Sequence, residues 1–114
     1  MAERPSGTVT FLFTDVEGST GYWERHPAEM RPALAVHDEI LRSVIEGAGG
    51  AVFATGGDGF AAAFGRADSA VAAAVEAQRA LAGLNWPDGL VLRVRMAFTR
   101  AKATSAMGTT SGRR

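Results

Sequence analysis

The chain has 114 residues, 46% hydrophobic and 21% charged, a balance that fits one folded domain with a modest core and excludes a disordered chain. It contains no cysteine, which excludes a disulfide framework and a thiolate metal site. Net charge is formally zero but uneven: residues 1–97 hold all twelve acids against eight arginines, a net −4, and residues 98–114 hold Arg100, Lys102, Arg113 and Arg114 with no acid, a net +4.

The opening "MAERPSG" lacks the apolar stretch of a signal peptide. The Ala-rich segment 67–84 is broken by Asp68, Glu76 and Arg79, so it does not read as a membrane span. The expectation is a cytoplasmic protein with no membrane partner.

Thr8–Thr14 is β-branched and aromatic and predicts a buried central strand. Glu17–Arg25 predicts a short helix opening at Gly18, Ser19 and Thr20. Pro27 suits a first helical position, and Met30, Ala33, Leu34, His37, Ile40, Leu41, Val44 and Ile45 then recur at helical spacing. "GAGG" (47–50) ends that helix. Ala51–Thr55 and Phe60–Phe64 predict two strands joined at "GGDG" as a hairpin. Asp68 predicts an N-cap for an Ala-rich helix with Val71, Ala74, Val75 and Leu81 on one face, closed by Gly83. "WPDG" (86–89) predicts a turn, and Leu90–Ala97 alternates like a half-buried strand. The order β-α-α-β-β-α-β predicts an α+β fold of the ferredoxin-like split βαβ type, an antiparallel sheet with helices on one face.

Two acids stand at strand ends beside glycines. Asp15 closes the first strand and Asp58 sits in the hairpin turn. Each alone has a plain structural role, Asp15 as a helix cap and Asp58 as a turn former. In a split βαβ sheet the strands that carry them can be neighbours. Two carboxylates without Cys or His then suggest oxygen ligation of Mg²⁺ or Mn²⁺. Beside Asp15, the amides of Glu17, Gly18, Ser19 and Thr20 open a helix, a setting that favours phosphate. Metal plus phosphate cradle suits phosphoryl transfer from a nucleoside triphosphate. His37 reads as a buried histidine with one satisfied partner. Arg93 and Arg95 read as a solvated strand face.

Together "FLFTDVEGST" and "GGAVFATGGDGFAAAF", with "HDEILRSVIEGAGG" between them, resemble the catalytic domain of class III adenylate/guanylate cyclases of the bacterial type. The resemblance covers residues 7–97. It implies conversion of ATP or GTP to the cyclic 3′,5′-nucleotide and pyrophosphate at a two-metal site. Asp15 and Asp58 match the metal-binding aspartates, the Val16 carbonyl would be a further metal ligand, and Glu17–Thr20 would hold the triphosphate. It also implies a homodimer, or a heterodimer with another cyclase domain, and a role in cyclic nucleotide signalling. Two departures stand out. The base-selecting lysine is replaced by Ala54, and nothing after Ala97 matches the family's transition-state Asn and Arg. The chain is therefore expected to be a C-terminally incomplete cyclase domain, inactive alone, with no catalytic residue of that pair. The alternatives are a non-catalytic nucleotide- or partner-binding pseudo-cyclase and a diguanylate cyclase-like domain, since "GGDGF" resembles the signature of the latter but has Gly59 where that signature carries Glu.

Residues 1–6 read as an N-terminal extension, 7–97 as the partial cyclase domain and 98–114 as a basic, disordered tail. The tail has no Leu, Ile or Val. Suitable codons for "FTRAKATSAMGTTSGRR", read from the third base, give His-Thr-Gly-Glu-Gly-His-Glu-Arg-Asp-Gly-Asp-Tyr-Phe-Gly-Pro-Ala, which resembles the family's continuation. The expectation is a frameshift near Ala97–Phe98, and hence no nucleic-acid partner for the basic tail.

Overall fold

The structure, a computed structural model, describes residues 7–103. In chain order the elements are β1 (Gly7–Val16), α1 (Ser19–Arg25), α2 (Pro27–Gly47), β2 (Ala51–Gly56), β3 (Gly59–Phe64), α3 (Ala67–Ala82), a 3₁₀ turn at Pro87–Gly89, and β4 (Val94–Ala103). The four strands form one sheet in the order β2-β3-β1-β4. Every neighbouring pair is antiparallel. This is the split βαβ arrangement: each of the two crossovers skips one strand, and β1 fills the gap between β3 and β4.

β1 is central, as its composition predicts, but its second face, where Val9 is buried, is open further along the strand. Thr10, Leu12, Thr14 and Val16 are buried, while Phe13 is 42% exposed and Asp15 half-buried. Helices α2 and α3 cover the first face, because their apolar stripes have no other surface to meet. The aromatic side chains on the other face cluster among themselves, with the Phe11 ring 6.3 Å from Phe13 and 5.8 Å from Phe53.

The core joins Leu12 and Val16 of β1, Phe60, Ala62 and Phe64 of β3, and the buried stripes of α2 and α3. In α2 that stripe is Met30, Ala33, His37, Leu41 and Ile45, the face its sequence period predicts. Pro27 occupies the first turn, where its missing N–H costs nothing. The helix ends at Gly47 with Ala48 as its C-cap, and Gly49 takes φ +88°. Gly50 lets the chain pass under the Phe64 ring; a Cβ there would lie 2.6 Å from it. His37 is fully buried, with Nδ1 2.8 Å from Asp38 Oδ1 and its ring edge-on to Phe60.

Three expectations are corrected. Asp68 does not cap α3: the N-cap is Arg66, and Asp68 is in the first turn, where both its oxygens accept from the Arg66 guanidinium at 3.0 and 2.8 Å. The buried face of α3 is Ala70, Ala73, Ala74, Ala77 and Leu81, while Val71 and Val75 are 49% and 45% exposed. Small side chains let the helix lie close to its neighbours, and the valines fall just outside that stripe. Finally, the last strand starts at Val94 and runs on to Ala103. Phe98–Ala103, expected in a disordered tail, therefore pair with Gly7–Leu12 of β1. Main-chain hydrogen bonding needs no particular side chains, and the first half of β1 offers its unpaired edge to whatever follows Ala97. Residues 1–6 and 104–114 lie outside the described residues. No helix among the described residues is long and apolar enough to cross a membrane.

Candidate active site

The site forms where β1, the β2–β3 turn and the start of β4 meet at one end of the sheet. Asp15 is the penultimate residue of β1 and faces the open side. Directly across the ladder stands Arg95 of β4. Its Nε donates to Asp15 Oδ1 at 2.8 Å and its terminal nitrogen to Oδ2 at 2.9 Å. Opposite charges facing each other across a strand pair form a natural cross-strand contact. The Arg95 guanidinium holds the Asp15 carboxyl below the usual carboxylate range, and Asp15 in turn raises Arg95 above its ordinary value, with smaller contributions from the fields of Glu17 and Asp58. Three acids thus converge electrostatically on one arginine.

Asp58 is the second residue of a two-residue turn between Gly56 and Gly59. Gly57 takes φ +56° at the first turn position, a conformation open to glycine without strain. Gly59 brings β3 tight against β1, since a Cβ there would lie 2.6 Å from the Thr14 carbonyl oxygen. The Thr14 hydroxyl oxygen accepts from the Phe60 N–H at 3.1 Å and ties the same point. These contacts fix the Asp58 turn against the end of β1. Asp58 Oδ2 is buried and has no hydrogen-bond partner among the described residues.

Val16 presents its main chain to the same place. The Glu17 N–H donates to the Arg93 carbonyl at 2.8 Å, continuing the register in which Asp15 opposes Arg95. In an antiparallel ladder alternate residues turn their polar groups to alternate neighbours. The Val16 carbonyl therefore points away from β4, toward the side where β3 and the Asp58 turn lie, while its side chain is buried in the core.

Of the residues expected from the sequence to hold phosphate, Glu17 is exposed and its N–H is already committed to Arg93. Gly18 is the N-cap of α1 at φ +69°, with no side-chain cap. The first helical bond runs from the Tyr22 N–H to the Gly18 carbonyl at 3.2 Å. The N–H groups of Ser19, Thr20 and Gly21 thus precede the first intrahelical bond. Ala54 is exposed on edge strand β2 beside a bulge between Val52 and Ala54. A shallow depression of about 200 Å³, lined by Phe13, Thr14, Asp15, Arg95, Met96 and Ala97, opens next to the ion pair.

Arg95 lies on the exposed strand face that its sequence pattern predicts, but its pairing with Asp15 is not legible there. The split βαβ order already places β4 beside β1, but which residue opposes Asp15 depends on register. A shift of one residue would have put Arg95 on the other face.

A family model described as the adenylate and guanylate cyclase catalytic domain matches residues 1–85. The chain belongs to this family. It is 36% identical over 87 residues to the adenylate cyclase of Schizosaccharomyces pombe, covering 76% of this chain and 5% of that protein. It is 44% identical over 77 residues to an uncharacterised protein of Mycobacterium tuberculosis, covering 66% of this chain and 27% of that one. Its fold matches that of a Trypanosoma brucei adenylate cyclase in its monomeric state, with a TM-score of 0.80 and 27% identity over 88% of this chain and 59% of that one. A guanylate cyclase domain from Catenaria anguillulae, solved in complex with GTP, shares the fold at a TM-score of 0.75 and 18% identity, again over 59% of that chain. The chain thus spans about a twentieth of the fission-yeast protein and three-fifths of these solved chains. It is a partial cyclase domain, and the matches favour neither the pseudo-cyclase nor the diguanylate cyclase-like alternative.

Proposed function

We propose that this chain is the metal- and triphosphate-binding portion of a class III cyclase site, taking ATP or GTP, and that it does not turn over nucleotide alone. The observation that carries the proposal is Asp58 Oδ2, a buried carboxylate oxygen without a partner among the described residues, on a turn held against the strand end that bears Asp15. A buried carboxylate oxygen left unpaired is costly, and a bound cation would satisfy it. The donors fit Mg²⁺ or Mn²⁺: two carboxylates, Asp15 and Asp58, and the Val16 carbonyl, all hard oxygens. When bound, such a cation neutralises phosphate charge and lowers the pKa of an attacking hydroxyl.

The chain's own part is positional. Asp15 and Asp58 would hold the cation at the sheet end. The first-turn amides of α1 and the Gly18–Thr20 backbone lie beside Asp15 to receive phosphate oxygens. Ala54 supplies no base-selecting ammonium, so neither ATP nor GTP is preferred at that position. No residue after Ala97 corresponds to the Asn and Arg that stabilise the transition state in the family. Without donors on the developing charge, most of the rate enhancement is lost. Completion by another cyclase domain that carries this Asn and Arg is the assembly this reading requires, since a second copy of this chain lacks them too.

The test measures Mn²⁺ binding and product formation on the same preparation. Wild-type chain should bind Mn²⁺, Asp15→Asn should not, and neither should form cyclic nucleotide from Mn²⁺-ATP or Mn²⁺-GTP above a protein-free blank. Turnover that disappears in Asp15→Ala would overturn the claim of inactivity. A folded wild-type chain that binds no Mn²⁺ would overturn the metal site.

A further inference from the structure

We propose that Arg95 is an internal counter-cation that competes with the divalent metal for Asp15, so that cation entry requires the Asp15–Arg95 pair to open. This rests on the metal-site reading above and adds a residue to it.

The register makes the pair a built feature. Asp15 and Arg95 are directly opposed within a ten-residue β1–β4 ladder, so the guanidinium reaches the carboxylate without any loop having to adopt a special conformation. Both carboxylate oxygens are engaged, at 2.8 and 2.9 Å. A divalent ion on the same carboxylate would face a full positive charge a few ångströms away. Two cations cannot share that acid without strong mutual repulsion.

The pair is also weak enough to yield. The Arg95 and Asp15 side chains are 63% and 49% exposed. Ion pairs in water-accessible positions contribute little because solvent screens them. A cation that also gains Asp58 has more to offer. In the closed arrangement Asp15 is satisfied, while Asp58 Oδ2 is left without a partner among the described residues. Bridging Asp15 and Asp58 would satisfy both acids and free the guanidinium. Without a cation, Arg95 neutralises Asp15 and holds its carboxylate at the strand end. Linkage makes the effect reciprocal: the metal opens the pair as much as the pair weakens the metal.

The experiment titrates the folded chain with Mn²⁺, reading free Mn²⁺ by electron paramagnetic resonance, for wild type, Arg95→Gln, Arg95→Lys and Asp15→Asn. Arg95→Gln should bind about three- to tenfold tighter than wild type, the range set by losing a screened ion pair and a nearby positive charge. Arg95→Lys, which keeps charge without the fork, should fall between them. The Arg95 Nε–H resonance should move when diamagnetic Mg²⁺ saturates the wild type, and should sit displaced from the outset in Asp15→Asn. If wild type binds Mn²⁺ and Arg95→Gln binds no tighter, the competition is overturned while the metal site stands. If wild type and Arg95→Gln both fail to bind, both are overturned. Should Arg95→Gln not fold, an Arg95 resonance unmoved by saturating Mg²⁺ in wild type overturns the competition by itself.

Discussion

Gly59→Ala tests whether the close approach of β3 to β1 holds the site together. The added Cβ would lie 2.6 Å from the Thr14 carbonyl oxygen, where ordinary contact begins at 3.4 Å. One strand must give way by about 0.8 Å. The obstacle is backbone, so no rotamer change relieves it. The same point carries the hydrogen bond from the Phe60 N–H to the Thr14 hydroxyl, and the displacement strains it. Overpacking of this kind costs about 1–3 kcal/mol. At a urea m-value of about 1–1.5 kcal/mol per molar, the midpoint should fall by roughly 0.7–3 M with m unchanged. Fluorescence of Trp86, which is only 7% exposed, reports the transition. Gly56→Ala is the matched control: it lies across the hairpin from Gly59 and its Cβ would meet nothing within 4 Å, so its stability should stay within about 0.5 kcal/mol of wild type. Under conditions where it remains folded, Gly59→Ala should also bind Mn²⁺ more weakly, because the Asp58 turn moves relative to Asp15. Equal midpoints for the two variants would show that the close approach does not constrain these strands.

Asp58→Asn removes a carboxylate whose Oδ2 has no partner among the described residues, so its urea midpoint should be no lower than wild type while Mn²⁺ binding is lost; a destabilised variant that still binds Mn²⁺ would contradict this. Asp15 is held below the ordinary carboxylate range by Arg95. The stabilisation that follows from this is present above the unfolded value of about 3.9 and is lost as pH falls through the lower folded value. A carboxyl-carbon NMR titration should place the Asp15 inflection below that reference in wild type and return it to the ordinary range in Arg95→Gln; an unshifted wild-type inflection would refute the pairing. The frameshift proposed after Ala97 predicts that the gene, read from the third base of the Phe98 codon, is open and encodes the His-Thr-Gly-Glu continuation. A closed shifted frame would remove that explanation of the basic tail.

Much of the scaffold was legible because its signals are local. Helix α2 announced its buried face through spacing and its ends through Pro27 and the glycines at 47, 49 and 50. The hairpin announced itself through "GGDG", where a tight turn calls for glycine. Asp15 and Asp58 stood out because acids at strand ends beside glycines are few in this chain. The misreadings share a cause. Asp68 looked like a cap because capping residues cluster near helix starts, but its exact offset decides between a cap and a first-turn ion pair. Val71 and Val75 looked buried because they are apolar, whereas the packing chose the flatter alanine face one step around the helix. The extent of β4 was not legible, since Phe98–Ala103 owe their strand to the exposed main chain of β1 and to no period of their own.

The sequence by itself determined the elements, their order and the two acids, because turn chemistry, helical period and strand composition act over a few residues. Only the tertiary structure decided what surrounds those acids. Register across β1 and β4 set Arg95 against Asp15, and the packing of β3 on β1 buried one oxygen of Asp58 without a partner among the described residues. Both depend on contacts between residues 46 to 80 positions apart, where the alignment of whole strands, rather than any local preference, chooses which side chains meet.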